Sequence, residues 1–306
     1  MGTVALRRWA PGRAPVAPPP PPLPFQLSVM LWTVFRKLPF EQRLENVAAA
    51  GYRNVELVGE FAHWSDADYT RALAAKRSLG ITFDASTFVR HPLADPRQRQ
   101  AFLADVRASL PVLDRLECPV LILQTGNRIP GMAHVVQYQS CVDGLRQAAK
   151  LVEGSSRRIL VENIDPLENP RYFLTSGAEG IDIMNAVDHP QVQLLLDFYH
   201  EQVAEGNLIA KLNQSLNRIG LVHIADVPGR HQPGTGEINY ANIFRRLTEL
   251  GFPHVAAMEF FPTYDEVACL RAARLFALQS AALANAAPIP TSSDPTLPSS
   301  HPAAGA

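Results

Sequence analysis

The chain has 306 residues, 47% hydrophobic and 19% charged, with a formal net charge of −1. That composition suits a soluble, well-packed globular protein and offers no strong field for nucleic acid or an anionic membrane. Cys118, Cys141 and Cys269 stand apart with no CxxC pair; this argues against a disulfide framework or a structural zinc site and makes a reducing, cytoplasmic setting the expectation.

Residues 1–24 carry three arginines, no acid and a block of five prolines. The Arg7–Arg8 pair is followed by no apolar h-region, so the segment reads as a disordered Pro/Arg-rich extension rather than an export signal. From residue 25 onward, short apolar runs of strand length recur: FQLSVML (25–31), NVELV (54–58), ITFDAS (81–86), PVLILQTG (119–126), RILVEN (158–163), VQLLLDF (192–198), LVHIAD (221–226) and VAAMEFF (255–261). Each of the first seven precedes a segment able to hold a helix. In the first unit Leu44, Val47 and Ala48 share a helical face between Pro39 and Gly51; in the seventh, Ile243, Phe244, Leu247 and Leu250 do so before Gly251. Eight strands interleaved with helices in one domain, residues 25–285, predict a (β/α)8 TIM barrel. An open doubly wound sheet usually places a Gly-rich turn after its first strand, and FQLSVMLWTVFRKLPF has no glycine. Residues 286–306 read as a second disordered tail, and no stretch is long and apolar enough to span a membrane.

A parallel barrel strand is buried on both faces, so a charged residue within one needs a reason. Glu162, Asp197, His223 and Glu259 each lie near the C-terminal end of a late strand, separated by 35, 26 and 36 residues, one βα unit each. Alternation turns their neighbours toward the helices: Ile159, Val161 and Asn163; Leu194, Leu196 and Phe198; Val222 and Ile224; Met258 and Phe260. The four polar side chains therefore converge at one rim. Three carboxylates and an imidazole in one place repel or titrate unless a cation sits among them. Mixed O and N donors suit one divalent ion, Mn2+, Mg2+, Co2+ or Zn2+, with imidazole shifting the balance away from Mg2+. The competing reading is four separately paired structural residues.

At these residues, VENIDPLENPRYFL, LLLDFYHEQVAEGNL and HIADVPGRHQPGTGEINY, the sequence resembles the hydroxypyruvate isomerase family of xylose isomerase-like TIM barrels. The resemblance covers residues 25–280 and is densest from 158 to 262. It implies that Glu162, Asp197, His223 and Glu259 hold the metal and that Glu162 and Glu259 form the proton-transfer pair. Two departures bear on the substrate. The family commonly has glutamine where His223 stands, whereas histidine is typical of ketose 3-epimerases, and the family's Glu-Pro-Ile-Asn is Glu162-Asn163-Ile164-Asp165 here.

The implied chemistry is glutamate-mediated proton transfer through an enediolate of a small keto or hydroxy acid, hydroxypyruvate going to tartronate semialdehyde (2-hydroxy-3-oxopropanoate), with no redox cofactor. For substrate contacts the candidates are His200, three residues past Asp197; Glu168, in the loop after Glu162; Arg230, for a carboxylate; and Glu56, pointing inward from the second strand. Each has an ordinary counterpart, a surface histidine, a loop acid, a solvated arginine or a structural ion pair. His231 joins Arg230 over the metal, Asp226 turns the chain, and Trp32 lines the mouth. His189, His254 and His301 read as surface residues. Self-association into a homo-oligomer is compatible with all of this. A ketose 3-epimerase, a DNA-repair endonuclease (which needs more histidines and a basic groove) and a non-catalytic binding barrel are the alternatives.

Overall fold

The computed structural model describes residues 23–285. The expected tail at 286–306, His301 within it, and residues 1–22 of the expected extension lie outside the described residues. Leu23 does not belong with that extension, since it packs against the hydrophobic core.

Eight strands close into a barrel in sequence order: β1 Gln26–Met30, β2 Asn54–Leu57, β3 Thr82–Ser86, β4 Val120–Leu123, β5 Arg158–Glu162, β6 Val192–Asp197, β7 Ile219–Ile224 and β8 Val255–Met258. Each runs parallel to the next, and β8 returns to pair with β1. The helices around them are α1 Phe40–Ala49, α2 Asp66–Ser78, α3 Arg99–Leu116, α4 His134–Val152, α5 Gly177–Val187, α6 Phe198–Ala204, α7 Leu208–Ser215, α8 Tyr240–Glu249 and α9 Glu266–Ala282. Among the described residues no helix is long and apolar enough to cross a membrane.

The apolar residues divide by parity, which is why these runs fold as barrel strands. Leu160, Leu195, Leu221 and Ala257 fill the interior with Ala85, Val120, Ile122 and Val255. Ile159, Val161, Leu194, Leu196, Val222, Ile224 and Met258 face the helices. Gly51 and Gly251 follow α1 and α8 at φ 95° and 64°, in the left-handed region that lets the chain leave the helix and re-enter the sheet.

Strand ends differ from the sequence expectation by up to three residues. β4 stops at Leu123, before Gln124 turns to the barrel mouth. β7 begins two residues early, at Ile219, and stops at Ile224, because Asp226 is drawn into the following loop. β8 ends one residue before Glu259, yet Glu259 N still donates to Ile224 O at 3.0 Å, so the ladder carries Glu259 to the rim.

Two register shifts shape the interior. Between β2 and β3 the pairing passes from Val55↔Phe83 to Glu56↔Ala85, leaving Asp84 unpaired in the ladder. Between β6 and β7 it skips Gly220, where a Cβ would come within 2.5 Å of Leu160. At the N-terminal end Arg158 reaches Gln193 Oε1, Gly220 O and His254 Nδ1, each at 3.2 Å. His254 is thus not a free surface residue; burial and the Arg158 charge push its pKa down to about 4.

Candidate active site and metal centre

Strand β5 delivers Glu162, β6 Asp197, β7 His223, and the turn after β8 Glu259. Asp197 and His223 are direct ladder partners. Each of the four offers a ligand atom, and these atoms lie within 4.8 Å of one another. His223 Nδ1 stands 2.7 Å from Glu259 Oε2, 3.4 Å from Glu162 Oε1 and 3.7 Å from Asp197 Oδ2. Despite that proximity, His223 Nδ1 and Glu259 Oε2 are buried with no aligned hydrogen bond. Buried polar atoms left this way are costly unless they serve something else. One imidazole and three carboxylates fit a divalent ion, and the four form a candidate metal site of the kind the sequence pointed to.

Asp197 does two jobs. Its Oδ1 caps α6 by accepting from Tyr199 N (2.7 Å) and His200 N (3.2 Å), leaving Oδ2 for the cluster. Burial would raise its pKa, but His200, His223 and Arg230 outweigh that and lower it. In Glu259 burial is likewise outweighed, by Arg230 and His223, so this carboxyl too sits below its ordinary range. Its Oε1 accepts from Trp32 Nε1 at 2.8 Å. Burial opposes a charge on His223, and Glu259 and Glu56 overcome it, raising the pKa well above the ordinary value.

Above the cluster lies a cavity of about 260 Å3, its wall including Trp32, Glu162, His200, Arg230 and Glu259. Asp197 and His223 are not part of that wall. His200 Nδ1 meets Asp165 Oδ2 at 2.5 Å, and its Nε2 faces Arg230 Nη1 at 3.2 Å. Burial lowers and Asp197 and Asp165 raise the His200 pKa, with a net rise. Arg230, in a left-handed backbone conformation (φ 55°), spans Glu259 Oε2 at 2.7 Å and Asp197 Oδ2 at 3.4 Å. Its guanidinium sits 5.1 Å from the Tyr199 ring and 5.6 Å from that of Trp32.

The loop carrying Arg230 is held by Asp226, whose carboxylate accepts from the backbone N–H groups of Val227, Gly234, Gly236 and Ile238 at 2.9–3.0 Å. Gly236 is obligatory there, since a Cβ would meet Val227 O at 2.0 Å.

Three expectations need correcting. Glu56 does not contact the cavity: it is wholly buried under His223, its Oε2 3.1 Å from Nε2. Glu168 is off the cavity wall, half-exposed at the rim, where Tyr199 Oη donates to its Oε1 at 2.5 Å and Arg230 Nη1 is 3.7 Å away. His231 turns aside, with Nδ1 2.9 Å from Phe261 O.

Asp84, which strand alternation does not single out, is buried beside Glu56, and burial raises its pKa to about 6. Asp165, Tyr199 and the buried Glu201–Lys211 pair behind Asn163 likewise carry no periodic signal in the sequence. An Asp-Pro dipeptide is a turn signal and was the one local hint for Asp165.

A closed parallel barrel with an imidazole and three carboxylates converging at its C-terminal rim is a barrel scaffold with a candidate metal site. A xylose isomerase-like TIM barrel family model matches residues 44–276. A putative hydroxypyruvate isomerase of Danio rerio is 32% identical, the alignment covering 78% of this chain and 91% of that one. A 2-oxo-tetronate isomerase of Pectobacterium atrosepticum is 28% identical over 78% and 92% of the two chains. Among solved structures, a family 2 AP endonuclease from Brucella melitensis superposes with a TM-score of 0.73 at 24% identity, covering 80% of this chain and 96% of that one, and this likeness bears on the fold alone. The chain belongs to the hydroxypyruvate isomerase family of xylose isomerase-like TIM barrels. It is an isomerase.

Proposed function

We propose that the chain is a metal-dependent isomerase of a small free 2-keto acid, converting hydroxypyruvate to 2-hydroxy-3-oxopropanoate. The observation that carries this is the division of labour among the four rim residues. Glu162 and Glu259 open onto the cavity from either side of β6 and β7, while Asp197 and His223 are buried and absent from its wall. The relatives' names support a keto acid, and Arg230 supplies positive charge to the cavity wall.

Glu162, Asp197, His223 and Glu259 would hold the ion, a divalent Mn2+, Mg2+, Co2+ or Zn2+. Once bound, it would polarise the substrate's neighbouring carbonyl and hydroxyl oxygens and acidify the C–H beside them. One glutamate takes the C3 proton, leaving an enediolate, and the other delivers a proton to C2. The C3 hydroxyl proton passes to the C2 oxygen, so atoms balance with no redox partner. Glu259 is fixed for this by Trp32 and Arg230, whereas Glu162 faces His223 Nδ1 through Oε1 at 3.4 Å. Trp32 stands in the cavity wall beside Glu259 and offers substrate an apolar face.

A ketose 3-epimerase would use the same glutamate pair, and His223 at the third ligand position is the feature that favours that second reading. The deciding experiment incubates the Mn2+-loaded protein in deuterated water with hydroxypyruvate, a 2-oxo-tetronate, tagatose and fructose. Deuterium entering hydroxypyruvate product, and lost in Glu162→Gln and Glu259→Gln, is the expected result. Exchange only with the ketoses replaces this reading by the epimerase, and exchange with none of them overturns both.

A further inference from the structure

We infer that Glu56 is a positioning residue that sets the tautomer of His223 and thereby makes Nδ1 available as a ligand; this rests on the metal reading proposed above. An imidazole reaches a metal through only one nitrogen, and that nitrogen must be free of its proton. In His223 the two nitrogens face opposite environments. Nδ1 looks toward Glu259, Glu162 and Asp197 at 2.7, 3.4 and 3.7 Å. Nε2 meets one acceptor, Glu56 Oε2, at 3.1 Å. A carboxylate there accepts the Nε2 proton and leaves the lone pair on the other side of the ring.

The length of the side chain matters. Strands β2 and β7 are not neighbours; β8 and β1 lie between them, so Glu56 must cross the barrel interior to reach His223. Glu56 is placed for this by its pairing with Met30 and, past the bulge, with Ala85. It is 0% exposed and absent from the cavity wall, so no substrate or solvent competes for its oxygen. Second-sphere carboxylates of this kind typically change metal affinity 10–100-fold when removed.

The test is Mn2+ affinity by calorimetry on the full chain and on Glu56→Gln and Glu56→Asp, with far-UV circular dichroism to check folding. Glu56→Gln is expected to bind Mn2+ about 10–100-fold more weakly, because a neutral amide is a poorer acceptor and can instead present N–H to the ring. Glu56→Asp, a methylene too short, should also lose affinity. In the wild type loaded with Zn2+, 15N NMR of His223 should show the proton on Nε2. Affinity in Glu56→Gln within about threefold of wild type, or a proton on Nδ1, overturns the role of Glu56 alone. Should the variants fail to fold, the wild-type tautomer decides. A wild type that binds neither ion overturns the metal reading itself, and this role with it.

Discussion

Arg230 and Glu259 meet twice: Nη2 lies 2.7 Å from the carboxylate Oε2, and Nε donates to the main-chain oxygen at 3.4 Å. The same guanidinium touches Asp197, so one planar cation aligns two carboxylates that would otherwise repel. Lysine keeps the charge but not the fork. Arg230→Lys is expected to fold normally and lose about 10²-fold in kcat/KM, the scale on which a single preorganised donor acts. Arg230 also helps hold Glu259 below its ordinary range, so Arg230→Met should move the acid limb of the kcat/KM profile to higher pH. A limb that stays in place shows that Glu259 is held anionic by other groups.

Glu201 is wholly buried, accepts from Asn163 Nδ2 (3.0 Å) and Gly177 N (2.7 Å), and pairs with Lys211. Asn163 in turn accepts from Asp197 N at 3.1 Å, which ties this pair to a candidate metal ligand. Lys211→Met leaves an uncompensated buried charge and is expected to cost about 3–5 kcal/mol in urea unfolding. Adding Glu201→Gln should recover a large part of that loss. A double variant as unstable as the single one counts against the pairing.

Asp226→Ala removes the one acceptor shared by four backbone N–H groups of the loop that carries Arg230. The loop should loosen, with limited proteolysis appearing within 227–238. Displacement of Arg230 by an ångström or so predicts a loss of about 10²-fold in turnover. Activity equal to wild type with the loop cleaved would separate loop order from Arg230 placement.

His254 gives a pH signature at the other end of the barrel. Its folded pKa, about 4, lies below the ordinary 6.5 because of burial and Arg158. Between those values the unfolded chain binds a proton that the folded chain refuses, so stability present above pH 6.5 is lost as pH falls toward 4. His254→Gln should flatten the dependence of the urea midpoint on pH across that window. An unchanged slope assigns the acid sensitivity elsewhere.

The barrel was legible because inward and outward positions alternate in β5 to β8, and the same parity brought Glu162, Asp197, His223 and Glu259 to one rim. What stayed hidden has physical reasons. Asp84 lies in a bulge, where alternation fails. Asp165 and His200 meet across 35 residues, and Lys211 finds Glu201 in the preceding helix; neither pairing leaves a periodic trace. Glu56 was recognisable as inward but was expected at the substrate, since parity gives the face of a strand and not the depth along the barrel axis.

All four candidate ligands lie between residues 162 and 259, yet two of their closest partners come from the opposite end of the chain: Glu56 on β2 for His223, and Trp32 just after β1 for Glu259. The pocket is therefore complete only once the first strand has docked against the last. Ion uptake by this chain should then report ring closure during folding: a fragment carrying only β5 to β8 holds every donor atom but lacks the groups that aim them.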